Sequence, residues 1–308
     1  VTVVYYAGDM CRALVDAPET PGDAHNPVRL FAGSGMRNDV WKRLTERFRS
    51  TVLEFYATTE GSAVLANITG QKVGSLGKPL PGTSETALVS YDFGTRSMRW
   101  TGAQLVRCTV DEPGILIARV DTSHPLASTQ SEDVASDARR IVRSAFEPDD
   151  AWFVTGDVLR IDSEGDYWFV DREVDMVRTA QGAVSTVHIE DVLYQLPEFA
   201  QAVAYGVRMP GESHEVAVVN VVVRAGYALN LDALAAHLAA RLDAHARPRF
   251  LLRVGEIPLS AGYRPLKHEL RCHFLLRLTA SADEVYRYDA ELAGYRSFAA
   301  EGDVLGGA

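Results

Sequence analysis

The sequence predicts an α/β segment that runs into β-rich chain up to residue 173, followed by a small α+β domain over 174–308. Three observations predict it. Val28 to Tyr56 reads as strand, glycine turn, amphipathic helix and strand, which is the repeating unit of an α/β sheet. From Thr86 to about Val120 the segments alternate at strand period, with Asp111-Glu112-Pro113-Gly114 as a turn. After Arg172 the composition changes, and alanine- and leucine-rich helical stretches sit between β-branched runs.

Taken in order, Tyr5 to Val15 has apolar residues at helical spacing and predicts a helix closed by Pro18 to Pro21. Val28-Arg29-Leu30-Phe31 predicts a strand entering Ala32-Gly33-Ser34-Gly35, where glycine permits a tight turn and a close backbone approach. Asn38 or Asp39 is placed to cap a helix with Val40, Trp41, Leu44 and Phe48 on one face. Val52 to Tyr56 is the next strand, and Ala57 to Gly61 is its polar exit. Residues 62–84 are rich in glycine and proline and read as loop or very short strand. The α/β part covers 1–85 and the β-rich part 86–173, with a polar surface loop at 121–137 that turns helical toward Phe146. Trp152 to Asp157 and Tyr167 to Arg172 flank the acidic turn Asp162-Ser163-Glu164-Gly165 as a β-hairpin, with Asp157 and Arg172 at one mouth.

In the second domain Ser185 or Thr186 caps a helix through Ile189, Val192 and Leu193. Ala200 to Val207 pairs with Glu215 to Val223, Leu231 to Leu242 is a helix, Phe250 to Val254 a strand and Leu266 to Leu276 a short helix.

With 308 residues, 47% of them apolar, the chain has enough material for two cores. Its formal charge of −10, without a Lys/Arg-rich run, argues against a nucleic-acid partner. Cys11, Cys108 and Cys272 are scattered, which predicts neither a disulfide framework nor a zinc site and fits a reducing, cytoplasmic compartment. No stretch reaches transmembrane length. His268 and His273 are five residues apart and fall on different faces of a helix, so the zincin spacing is missing.

Thr58-Thr59-Glu60-Gly61 places hydroxyls and a carboxylate at a strand exit beside Tyr56. Such groups suit phosphate oxygens and Mg²⁺, and a tyrosine ring stacks on a base, but a capped turn over a core tyrosine has the same pattern. Gly33-Ser34-Gly35 lacks the lysine and spacing of a phosphate loop, and Gly-x-Ser-x-Gly is absent.

Phe55-Tyr56-Ala57-Thr58-Thr59-Glu60-Gly61, Phe153-Val154-Thr155-Gly156-Asp157, Asp162-Ser163-Glu164-Gly165-Asp166 and Val170-Asp171-Arg172 occur in the order found in adenylate-forming enzymes. The chain resembles the branch that holds the fatty-acid transport proteins and very-long-chain acyl-CoA synthetases. The likeness continues through Val184-Ser185-Thr186 and Ala204-Tyr205-Gly206-Val207 to Arg247-Pro248-Arg249-Phe250-Leu251.

The resemblance implies ATP or AMP with Mg²⁺, a small carboxylic or fatty acid or its thioester, and CoA or a carrier-protein thiol as acceptor. It implies that Gly33, Ser34, Gly35 and Tyr56 hold adenine, Thr59 the α-phosphate, Glu60 the magnesium, Asp157 the ribose hydroxyls, and that Arg172 also reaches the nucleotide. The hinge of a small mobile C-terminal domain falls at Val174.

Three departures shape the expectation. The family's Ser/Thr/Gly-rich loop ending in lysine does not occur in this sequence. Where the family has Thr-Gly-Thr-Phe-Lys this chain has Ser260-Ala261-Gly262-Tyr263-Arg264, so an arginine stands at the catalytic lysine's position. Trp-Lys-Gly-Glu-Asn appears as Thr179-Ala180-Gln181-Gly182-Ala183, and the hinge glycine as Val174. Together they predict a C-terminal half with degenerate motifs, a remnant of the large adenylation domain followed by a small α+β domain. Such a protein would be truncated and unable alone to form acyl-adenylates. The alternatives are a fragment or subunit of an active ligase, or a non-catalytic binding protein in a natural-product pathway, with a second polypeptide or a homodimer covering the truncated face.

Overall fold

The computed structural model describes residues 1–58, 63–120, 140–279 and 284–298. The chain divides into two compact units, Val1–Glu173 and Val174–Ala308.

In the first unit β1 (Val3–Ala7), β2 (Leu30–Ser34) and β3 (Thr51–Ala57) are parallel neighbours, joined through α1 (Met10–Asp16) and α2 (Asn38–Phe48). Val40, Trp41 and Leu44 recur at helical spacing and are fully buried, so α2 packs one face onto the sheet together with Tyr6, Phe31 and Val52. Arg37 caps α2 without a side-chain bond, and Arg49 closes it in the left-handed conformation. The helix expected over Tyr5–Val15 is instead a strand and a short helix. Tyr5 is exposed and Tyr6 buried, which is strand alternation, and Gly8 at φ 51° separates the two elements.

The sheet continues antiparallel through β4 (Val64–Asn67) and β5 (Ser75–Pro79). Next along the chain come β6 (Thr86–Asp92), the short β7 (Ser97–Met98), the small pair β8 (Trp100–Thr101) and β9 (Gln104–Leu105), β10 (Gly114–Arg119) and β11 (Ile141–Arg143). The hairpin of β12 (Ala151–Ile161) and β13 (Tyr167–Arg172) completes the unit. Their order is β1-β2-β3-β4-β5-β13-β12-β10-β6-β7, with β11 also on β12, giving an 11-stranded sheet among the described residues.

This corrects the expected fold class. The α/β stretch 1–85 and the β-rich stretch 86–173 are one mixed sheet, because the antiparallel pairing of β5 with β13 joins them. It is not a remnant: one core under the parallel strands gathers around Trp41, and another gathers Tyr56, Leu65, Leu116, Leu159 and Tyr167.

The second unit opens with the hairpin β14 (Val177–Thr179) and β15 (Gly182–Val184), then α3 (Thr186–Leu193), whose Ser185 cap accepts the N–H of His188. A five-stranded sheet follows, in the order β16 (Phe199–Arg208), β17 (Glu215–Val223), β18 (Phe250–Arg253), β19 (Glu284–Asp289) and β20 (Gly294–Ser297). Helices α4 (Leu231–Ala239) and α5 (Lys267–Thr279) complete it. Ala202 and Ala204 of β16 face one core with Leu234 and Leu238, while Val203, Tyr205 and Val207 face another with Phe250 and Phe274. The two-residue period of the strand thus buries both faces of the sheet. No helix among the described residues is long and apolar enough to cross a membrane.

Candidate nucleotide site

The carboxyl ends of β1, β2 and β3 lie side by side, the edge of an α/β sheet where ligands gather. Gly33, Ser34 and Gly35 form the end of β2 and its exit. A Cβ on Gly33 would lie 2.2 Å from the Tyr6 carbonyl oxygen, so only glycine fits between the strands. The Gly8 N–H donates to the Ser34 carbonyl at 2.8 Å and ties the two exits together.

Tyr56, near the end of β3, is 8% exposed within the second core of its unit. Its hydroxyl donates to Asp157 Oδ2 at 2.6 Å, a contact between residues 101 positions apart. Burial, and then the charge of Asp157, push this hydroxyl well above the usual phenol range, so it keeps the proton it donates.

Asp157 and Arg172 are directly opposed in the β12–β13 register, and Arg172 Nε lies 3.8 Å from Asp157 Oδ1. The carboxylate is mostly covered and the guanidinium half-exposed. Thr155 fixes the backbone: its hydroxyl donates to the Leu116 carbonyl at 2.8 Å and accepts the Asp157 N–H at 3.0 Å. Sequence reasoning missed Thr155, whose only signal is its place two residues before Asp157 on the same face of the strand.

The structure therefore brings Tyr56, Asp157 and Arg172 together. Thr59 and Glu60 lie outside the described residues; on either side of them, the Thr58 N–H bonds the Ala63 carbonyl at 3.1 Å. At the unit boundary Glu173 receives both arms of the Arg96 guanidinium at 3.0 Å. Val174 is exposed, and its carbonyl accepts from Arg271 of α5 at 3.2 Å.

Arg264 belongs to the second unit and is exposed in a tight turn between Leu259 and Pro265. Its carbonyl accepts the Ser260 N–H at 2.8 Å, and Tyr263 beside it holds φ 56°. Lys267 is committed elsewhere, 2.9 Å from Glu190 Oε1 and bonded to Thr186. A pocket of about 950 Å³ also opens in this unit, lined by the β14–β15 turn, the β16–β17 turn and strands β19 and β20. Arg249 pairs there with Glu212 and Arg296 with Asp289, and none of the expected site residues lines it.

A carboxylate with two acceptor oxygens, such as Asp157, is of the right chemistry for a vicinal diol. Glu60 and Thr59 are of the right chemistry for Mg²⁺ and a phosphate.

Models of AMP-binding enzymes match the chain twice, the AMP-binding enzyme over residues 1–95 and the AMP-binding enzyme C-terminal domain over 188–262, together more than half of it. The medium/long-chain-fatty-acid–CoA ligase FadD6 of Mycobacterium tuberculosis is 32% identical over 272 residues, which is 88% of this chain and 45% of the relative. Human long-chain fatty acid transport protein 3 is 34% identical over 257 residues, 82% of this chain and 37% of that protein. The chain spans about half the length of the curated relatives it matches, or less.

Among solved structures, ATP-bound MatB from Rhodopseudomonas palustris superposes with a TM-score of 0.73 at 18% identity, covering 89% of this chain and 51% of that one. A benzoate CoA ligase from Burkholderia xenovorans superposes at 0.68 and 23% identity, covering 88% and 51%.

These findings correct the expectation of a truncated remnant reduced to a degenerate C-terminal half, because the AMP-binding enzyme model is matched over 1–95 as well as the C-terminal domain model over 188–262. Both family models are matched in order, one in each unit, and both units carry the fold of solved ligases. The chain is a member of the AMP-binding, adenylate-forming enzyme superfamily, similar to the fatty-acid–CoA ligases.

Proposed function

We propose that the chain serves an AMP-forming ligase reaction on a fatty acid, with ATP bound at Tyr56, Asp157 and Arg172. The observation that carries this reading is the Tyr56–Asp157–Arg172 cluster, in which a buried phenol and a strand-paired guanidinium orient one carboxylate. In the reaction a fatty-acid carboxylate oxygen attacks the α-phosphorus of ATP, and the bond to the bridging oxygen breaks as pyrophosphate leaves. A thiol sulfur, of CoA or a carrier protein, then attacks the acyl carbon; AMP departs with the bonding pair and the thiol proton passes to solvent.

This chain's residues divide the work. Asp157 accepts the ribose hydroxyls and Tyr56 holds it in place, while the backbone from Gly33 to Gly35 borders the base. Arg172 supplies cationic charge against the phosphates, where fixed positive groups offset charge that builds in the transition state. Glu60 would hold Mg²⁺, which would supply neutralising charge at the phosphates.

The test is a calorimetric titration with AMP, alongside pyrophosphate release from ATP and a long-chain fatty acid. Hydrogen bonds to a charged group contribute about 1.5–3 kcal/mol, so Asp157→Ala is expected to weaken AMP roughly tenfold to a hundredfold. Equal AMP affinity in the variant would remove Asp157 from the site. Absence of pyrophosphate release with any fatty acid would exclude the reaction.

A further inference from the structure

The buried face of β3 is made by Val52, Glu54 and Tyr56, alternate residues of a strand that pairs parallel with β2 and antiparallel with β4. Two of these are what such a face calls for. Glu54 is not: it is a carboxylate at 3% exposure where a β-branched residue would pack without penalty, and removing a charge from water costs several kcal/mol. A local rule broken this way inside a well-packed element marks a functional constraint.

Its bonds identify the constraint. Glu54 lies opposite Gly33 in the β2–β3 register, and Gly33 lies opposite Tyr6 in the β1–β2 register. One carboxylate oxygen accepts the Gly35 N–H and the other accepts the Tyr6 hydroxyl. Burial, followed by the charge on Glu54, drives the Tyr6 hydroxyl far above its usual range, so it remains a donor. The turn is thus held on two sides, through the Gly35 N–H by Glu54 and through the Ser34 carbonyl by Gly8. Gly33 cannot shift toward β1, where the Tyr6 ring and carbonyl already fill the space of a Cβ. The same strand face carries Tyr56 two residues on, so one strand sets both the glycine turn and the phenol that orients Asp157.

We propose that Glu54, with Tyr6 as its partner, is a positioning residue for the adenosine part of the nucleotide: it fixes the Gly33–Gly35 turn against which the base rests. This rests on the nucleotide reading above. It predicts a defect confined to what adenosine and AMP share.

The experiment is calorimetry of the whole chain with adenosine and with AMP, well below each variant's melting temperature. Glu54→Gln keeps the shape but replaces one acceptor by a donor, and is expected to weaken both ligands by the same factor, about tenfold. Tyr6→Phe leaves the carboxylate and removes one of its donors, with an expected loss of several-fold; it carries the test if Glu54→Gln does not fold. Leu44→Ala opens a cavity in the core of the same unit, and should lower the melting temperature while leaving both affinities unchanged. Wild-type affinity in Glu54→Gln and Tyr6→Phe would overturn the inference, and so would an equal loss in Leu44→Ala. If the unsubstituted chain binds neither ligand, the nucleotide reading fails and this inference fails with it. Binding by the wild type that Glu54→Gln does not change overturns only the inference.

Discussion

Asp162 heads the turn of the β12–β13 hairpin, at whose other end Asp157 and Arg172 face each other. Its carboxylate accepts the N–H groups of Glu164 and Asp166 and the Trp168 indole, and lies 3.0 Å from Lys72 Nζ, which also contacts Glu164 and Asp166. Burial alone would raise the Asp162 carboxyl, but the Asp166 N–H, the Trp168 indole and the Lys72 ammonium outweigh it and hold it well below the usual carboxylate range. A folded-state value depressed in this way gives stability that is fully present above the unfolded value of about 3.9 and is lost as pH falls through the folded value. Denaturant melts between pH 5 and 3 should therefore show a steeper acid-side loss in the wild type than in Asp162→Asn, which has no proton to take up there. Parallel slopes in the two proteins would mean that Asp162 is not linked to folding.

Helix α5 illustrates how an element is placed by one pair of charges. Lys267 at its first turn and Glu190 of α3 are 12% and 5% exposed and 2.9 Å apart, and Glu190 also accepts the Ala204 N–H at 3.0 Å. Because the ammonium is spent on this contact, Arg264 is the cation its loop presents to solvent. Breaking a buried pair from one side costs about 3–5 kcal/mol, so Lys267→Met should lower the urea stability of 174–308 by an amount in that range. A loss below about 1 kcal/mol would show that the pair is well solvated. Elements whose apolar residues follow their own period were legible in the sequence: α2 through Val40, Trp41 and Leu44, the β12–β13 hairpin through its acidic turn, and the β16–β17 pair through its β-branched runs. Strands β4 and β5 were legible only as loop or very short strand, because the glycines and prolines of 62–84 mask them and the pairing that makes them strands comes from β3 and β13. At the site, the facing of Asp157 and Arg172 follows from a hairpin, a local feature. The bond from Tyr56 to Asp157 is set by the closing of a sheet over 101 residues, which no local pattern encodes. Glu54 was visible only as a charge on an otherwise apolar strand face.

At the scale of the whole molecule, each unit is built around its own cores. Trp41 and Leu44 centre one in Val1–Glu173, and Phe274, ringed by Phe250 at 5.5 Å and Tyr205 at 6.4 Å, centres another in Val174–Ala308. The connection between the units runs from Glu173, held by Arg96 on the first, to Val174 and Asp175, held by Arg271 on the second. Each unit thus carries its own share of apolar burial, the dominant favourable term in folding, so unfolding need not be all-or-none. Scanning calorimetry is expected to resolve two transitions. Emptying a buried aromatic position costs about 3–5 kcal/mol, so Phe274→Ala should shift one transition by many degrees and leave the other in place. Leu44→Ala should do the reverse, since its cavity opens in the other unit. A single transition that moves with either substitution would mean that the two units fold as one cooperative body, and that Val174 joins parts which do not act separately.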